Sequence, residues 1–177
     1  RGVGVRRGAF PGTFNPPTVA HLAVAEAARE HHRLDRVDLV ISRRPLAKAP
    51  AEEPAFEQRV EVVRRLADRL GWLHVVVSEL QLIADLAHGY DLVIMGADKW
   101  HQIHDVAFYD HSPTARDAAL ARLPSVAVVP RSGFAIPAAV ALDVDPVHLD
   151  VSSTRARSGE HDLMVPEARD SGLWHRP

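Results

Sequence analysis

Apolar residues along this chain fall into two alternating patterns: compact runs of strand length, and longer stretches with an apolar helical face. "VGVRRGAF" (3–10) reads as a short β-rich segment, and "TVAHLAVAEAAREHHRL" (18–34) as a helix whose basic, histidine-rich last turn suits the helix dipole. "VDLVIS" (37–42) is a strand, and "FEQRVEVVRRLADRLG" (56–71) is an amphipathic helix stopped by Gly71. "LHVVVS" (73–78), "YDLVIMGA" (90–97), "SVAVVP" (125–130) and "VHLDV" (147–151) continue the strands. A short helix is expected in "ELQLIADLAHG" (79–89), and another in "SPTARDAALARLP" (112–124) with Ser112 as N-cap. Continuous apolar strands separated by helices need cover on both faces, so the predicted class is α/β with a doubly wound parallel sheet. Residues 132–146 are expected to form an irregular connection. The weakly patterned last dozen residues are expected to pack loosely.

At 177 residues the chain suits a single domain over 1–177. Hydrophobic residues make up 46% and charged residues 25%, which is globular usage and argues against a disordered chain or a coiled coil. The net charge of -2 gives no general field for nucleic acid or an anionic membrane, so any anionic ligand must be held by local groups. The absence of cysteine removes disulfides, thiolate metal sites and cysteine nucleophiles. No apolar run approaches the roughly 20 residues that span a bilayer, and the opening residues lack the apolar stretch of a signal peptide. The expectation is a soluble cytoplasmic protein, with no membrane or nucleic-acid partner and with homo-oligomerisation left open.

In open parallel sheets, ligands bind beyond the carboxyl ends of the strands, where strand order reverses. Three loops there carry chemistry. In "GAFPGTFNPPTVAHL" (8–22), Gly12 permits close backbone approach, Pro16 and Pro17 force an extended turn, and Thr18 stands at a helix N-cap. Exposed amides at such a turn suit an anion, and His21, three residues on, shares a helical face with Thr18. "MGAD" ends the fourth strand, Gly96 allowing close approach and Asp98 offering a carboxylate for ribose hydroxyls. "VSSTRARSG" (151–159) sets Ser152, Ser153 and Thr154 at a helix start with Arg155 and Arg157 behind, a set suited to a triphosphate. Each loop alone also reads as an ordinary capped turn. All three at strand ends point to one nucleotide site.

"GTFNPPTVAHL", "MGAD" and "VSSTRAR", in that order, resemble the nucleotidylyltransferase superfamily with a (T/H)-x-G-H signature, in particular the nicotinate or nicotinamide mononucleotide adenylyltransferases. The resemblance spans nearly the whole chain and implies a Rossmann-like nucleotidylyltransferase fold, with a C-terminal element from about residue 152 carrying the phosphate-binding motif. It implies that Gly12, Thr13 and Phe14 supply backbone contacts to phosphates. Thr18 and His21 take the signature positions, with His21 assisting departure of pyrophosphate. Gly96 and Asp98 would hold the ATP ribose, and Ser153, Thr154, Arg155 and Arg157 the triphosphate. Lys48 and Arg131 correspond to groups on the phosphate and mononucleotide side. The implied reaction joins an acceptor phosphate directly to the α-phosphorus of ATP with Mg²⁺ bridging phosphates. No residue serves as a nucleophile, and the protein's work is alignment and charge stabilisation.

The chain departs from the family pattern at the third signature position, Ala20 for Gly, and on the acceptor side. There "SELQLIADLAHGYD" replaces a P-S-Y-T-x-x-T-like segment, and Val106 stands where a tryptophan is usual. Trp100 is expected to replace that aromatic. His101, His104 and Asp105 lack a metal-ligand spacing and are assigned to packing or solvent, so no protein metal site is expected. The alternatives are a cytidylyltransferase, an adenylyltransferase for another phosphorylated metabolite such as pantetheine phosphate, and a nucleotide-binding sensor without turnover. A synthetase reading fails for want of a K-M-S-K-S-like segment.

Overall fold

Five short apolar strands line up side by side, the three central ones buried on both faces and the edge strands less so. They are β1 (Arg7–Pro11), β2 (Arg36–Ser42), β3 (Leu73–Ser78), β4 (Leu92–Gly96) and β5 (Ser125–Val129). All pairings are parallel, in the order β3-β2-β1-β4-β5. The structure, a computed structural model, describes residues 4–45 and 53–175. The chain winds outward from β1 to β3 and then returns to place β4 on the other side of β1. Strand order therefore reverses between β1 and β4, the position at which open parallel sheets bind ligands.

Side chains alternate across the sheet with the period of two that strands impose. Phe10, Leu39, Ile41, Leu92, Ile94 and Ala127 face one way, into a core shared with α1 (Val19–His31), α2 (Phe56–Leu70) and α7 (Pro166–Ser171). Ala9, Val40, Val93, Met95 and Val128 face the other way, against α3 (Ile83–Leu86) and α4 (Ala97–His104). Leu120, from α5 (Pro113–Ala121), joins that second layer. The doubly wound α/β architecture is thus as expected.

Four local expectations need correction. Residues 147–151 form no strand: Pro146–His148 is a 3₁₀ turn, because Pro146 has no N–H to give a ladder and the Asp145 side chain caps Val147 N. Residues 97–104, which carried no helix prediction, form α4; their polar, histidine-rich composition masks the apolar positions Ala97 and Ile103 that bury the helix. Within 79–89 only one helical turn, α3, forms. The chain end is not loose. Helix α7 packs on α2 through the Arg69–Glu167 ion pair, and Trp174 is 4% exposed. Residues 132–146 are largely irregular, as expected, with one 3₁₀ turn at Ala138–Val140; a Val128–Ala141 bridge, the Leu142 N to Val128 O hydrogen bond and the buried Leu142 and Val144 attach them to the sheet edge and core.

Candidate active site

The loop after β1 is shaped by its own side chains. Gly12 N donates to Val40 O at 3.1 Å, and a Cβ on Gly12 would lie 3.0 Å from the Phe14 ring. Phe14 accepts a left-handed backbone (φ 47) and is 1% exposed, its ring edge-on to Phe10 at 5.7 Å and to His21 at 5.0 Å. A non-glycine residue rarely adopts that conformation, so burial of a full aromatic ring offsets the strain. Thr18 then caps α1 in a reciprocal box: His21 N donates to Thr18 Oγ1 (3.3 Å), and Thr18 N donates to His21 Nδ1 (2.9 Å). A nitrogen that accepts carries no proton, so the neutral imidazole held this way has its proton on Nε2.

At the end of β4 the carboxylate of Asp98 folds back over the strand terminus. A Cβ on Gly96 would stand 2.7 Å from Asp98 Oδ1, so any other residue there would push the carboxylate out of this position. Asp98 lies in the first turn of α4 and accepts from Arg131 Nη1 at 3.3 Å.

The third loop leads into α6 (Ser153–Arg157), with Ser152 as N-cap. This element is tied to the first loop. Ser153 Oγ donates to Pro16 O (2.8 Å), Arg157 Nη1 donates to Asn15 O (2.5 Å), and Arg157 Nη2 donates to Thr154 Oγ1 (3.2 Å). The carbonyls of Pro16 and Pro17 lie outside any helix or strand ladder and accept from the distant C-terminal segment, Val165 N taking that of Pro17.

These three loops bound one cleft of about 310 Å³ at the β1/β4 switch point. Gly12, Thr13, Thr18, His21, Gly96, Asp98, Arg131, Ser153, Thr154 and Arg157 all line it. Among the described lining residues Asp98 is the only carboxylate, beside the cations Lys99, Arg131 and Arg157.

Two predicted site residues, Arg155 and Trp100, stand elsewhere. The Phe14 side chain belongs to the core, which leaves its backbone for the phosphate contact expected of it. Arg155 is turned from the cleft into an ion pair with Glu160, and it also donates to Asp150 O. Trp100 packs against the α3–α4 layer with its ring 4.5 Å from that of His104. Lys48 lies outside the described residues. The remaining helix histidines bond backbone carbonyls, His101 to Ala135 O and His104 to Trp100 O.

Sequence reasoning missed two groups. Beside the cleft, sharing Pro11, Gly12, Thr13 and Lys99 with it, is a mainly apolar cavity of about 100 Å³ walled by Ile83, Leu86, Ile103, Phe108 and Tyr109. Lys99 Nζ donates to Gln102 Oε1 at 2.8 Å on its wall. Recognising α4 would have put Lys99, Gln102 and Ile103 on one face by their i, i+3, i+4 spacing. The second is Arg59, a cation inside the apolar stripe of α2, at helical spacing from Val62, Val63 and Leu66.

A reversal point lined by a capped Thr–His pair, a strand-end Asp and hydroxyls backed by arginine defines a nucleotide-handling α/β protein. The cytidylyltransferase-like family model matches residues 9–159, and the chain belongs to that family, and so to the nucleotidylyltransferase superfamily. Relatives named probable nicotinate-nucleotide adenylyltransferase are similar to parts of it. That of Citrifermentans bemidjiense is 40% identical over 78 residues, 44% of this chain and 35% of the relative. That of Coprothermobacter proteolyticus is 28% identical over 167 residues, 86% of this chain and 81% of the relative. That of Listeria welshimeri is 28% identical over 119 residues, 56% and 63%. The first of these matches thus spans only about a third of the relative's length.

Proposed function

We propose that this protein transfers the AMP moiety of ATP to the phosphate of nicotinate mononucleotide or nicotinamide mononucleotide and releases pyrophosphate. The observation that carries the reading is the meeting of three sequence-distant loops around one cleft at the strand-order reversal. The names of the similar proteins support the acceptor class.

In this reaction an oxygen of the acceptor phosphate bonds to the α-phosphorus of ATP as the bond to the β-phosphate bridging oxygen breaks. Pyrophosphate takes the electron pair. The protein contributes position and charge. Asp98 accepts from the ribose hydroxyls, and Thr154, whose oxygen accepts from Arg157, offers its hydroxyl proton to phosphate oxygens, while Thr18 and Ser153, engaged with His21 and with Pro16 O, hold the surrounding loops in place. Arg157 and the Nε2–H of His21 face the pyrophosphate as its charge grows. With Asp98 the one carboxylate among the described lining residues, the site would suit a Mg²⁺ ion brought by the nucleotide rather than one held in a protein ligand cage. Its chemistry there is to neutralise phosphate charge.

Pyrophosphate release tests the proposal, with ATP or CTP offered against nicotinate mononucleotide, nicotinamide mononucleotide and pantetheine phosphate. Turnover with ATP and a pyridine mononucleotide is expected. Preference for CTP or for pantetheine phosphate would replace the substrate. ATP binding by calorimetry without release for any acceptor would reassign the protein as a sensor.

A further inference from the structure

One buried charge has no counter-charge. Arg59, one turn into α2, is 4% exposed, and its Nε has no hydrogen-bond partner. Its Nη1 donates to the carbonyl of Thr13 at 3.1 Å, and the Phe56 ring lies 5.4 Å away. Among the described residues no carboxylate pairs with it. Burial pulls its pKa below the ordinary guanidinium value, yet an arginine stays protonated in a protein. An unpaired buried cation costs stability, and an apolar side chain would be cheaper on a helix face that also carries Val60, Val63 and Leu66.

The place of the charge accounts for its retention. Thr13 lines the nucleotide cleft, and Arg59 grips the carbonyl of that residue from the core side. In a planar trans peptide the N–H points opposite to the C=O, so fixing the Thr13 carbonyl toward Arg59 turns the Phe14 N–H away from it. That N–H makes no hydrogen bond among the described residues.

We propose that Arg59 is a positioning residue for the nucleotide's phosphates: it orients the Thr13–Phe14 peptide and sets a fixed positive charge behind the loop. This rests on the nucleotide reading above. The compensating anion is then the ligand, so the free protein carries a cost that ligand binding relieves.

Calorimetry with Mg-ATP and with adenosine, beside thermal denaturation, tests this in wild type, Arg59→Met and Arg59→Lys. Wild type is measured first, and its failure to bind ATP would overturn the nucleotide reading itself. Arg59→Met is expected to melt at or above the wild-type temperature, to bind ATP at least tenfold more weakly, and to bind adenosine within twofold. Arg59→Lys, which keeps a donor and a charge, is expected to hold ATP within about threefold. ATP affinity within twofold of wild type in Arg59→Met, or equal losses for ATP and adenosine, would overturn the proposal. Should Arg59→Met not fold, the expected stability gain is overturned, and Arg59→Gln decides the binding role by the same tenfold criterion.

Discussion

Trp174 and Asn15, 159 positions apart, are joined by a buried hydrogen bond in which the indole Nε1 donates to Asn15 Oδ1 at 2.7 Å. Asn15 is 8% exposed and its backbone carbonyl accepts from Arg157, so one residue of the opening loop holds both the chain end and α6. Trp174→Phe keeps most of the apolar bulk but leaves the Asn15 side-chain oxygen buried without its donor. The expected cost is about 1–3 kcal/mol, and for a chain of this size the melting temperature falls by several degrees. Calorimetric melting of the variant checks it; an unchanged midpoint would show that water replaces the indole.

His21 serves the fold and the proposed chemistry through different atoms, so the two can be separated. Its Nδ1 closes the capping box with Thr18, while the imidazole as a whole lines the cleft. His21→Ala is expected to lower turnover on the order of a hundredfold and stability by about 1 kcal/mol. His21→Gln restores a box-closing side chain at the third helical position without an imidazole. Its stability is therefore expected near wild type with turnover still low. Pyrophosphate release and denaturant titration on both variants read this out, and full activity in either would remove His21 from the mechanism.

Much of this site is local in origin and therefore readable from sequence. Thr18, Ser112 and Ser152 cap their helices as their spacing implies, because a cap depends on three or four neighbouring residues. The strands are readable because burial on both faces leaves continuous apolar runs. What was hidden is non-local. The run Val147–Val151 has strand-like composition, but Pro146 and the Asp145 cap turn it away from a sheet edge. Trp100 resembles an acceptor-side aromatic until the packing of α4 decides which face meets the sheet. The terminal segment is anchored by Asn15, a partner no window of local sequence contains.

The two arginines of α6 differ in direction, which predicts a contrast between near neighbours. Arg157 lines the cleft and spans Asn15 O and Thr154 Oγ1, whereas Arg155 is engaged with Glu160 and Asp150 O. Arg157→Ala is expected to raise the KM for ATP by about tenfold or more, the worth of one charge-assisted phosphate contact. Arg155→Ala loses an exposed ion pair and is expected to change KM less than twofold. Steady-state kinetics on the pair decides it. Equal effects would mean that Arg155 swings into the cleft when nucleotide binds.

At the C-terminal end of α1, burial, together with the neighbouring His31 and Arg6, holds the pKa of His32 below the ordinary histidine value of 6.5. The sign of the consequence follows from proton counting. As pH falls through about 6.5, the unfolded chain takes up a proton at this position while the folded chain resists it, so protonation favours the unfolded state. His32 thus contributes stability in its neutral form, which is lost from about pH 6.5 down to its folded-state pKa and changes no further below that. His32→Gln removes the titration, and its melting temperature is expected to fall less than that of wild type between about pH 7 and pH 5. Parallel melting curves across that range would show that His32 does not drive the acid response.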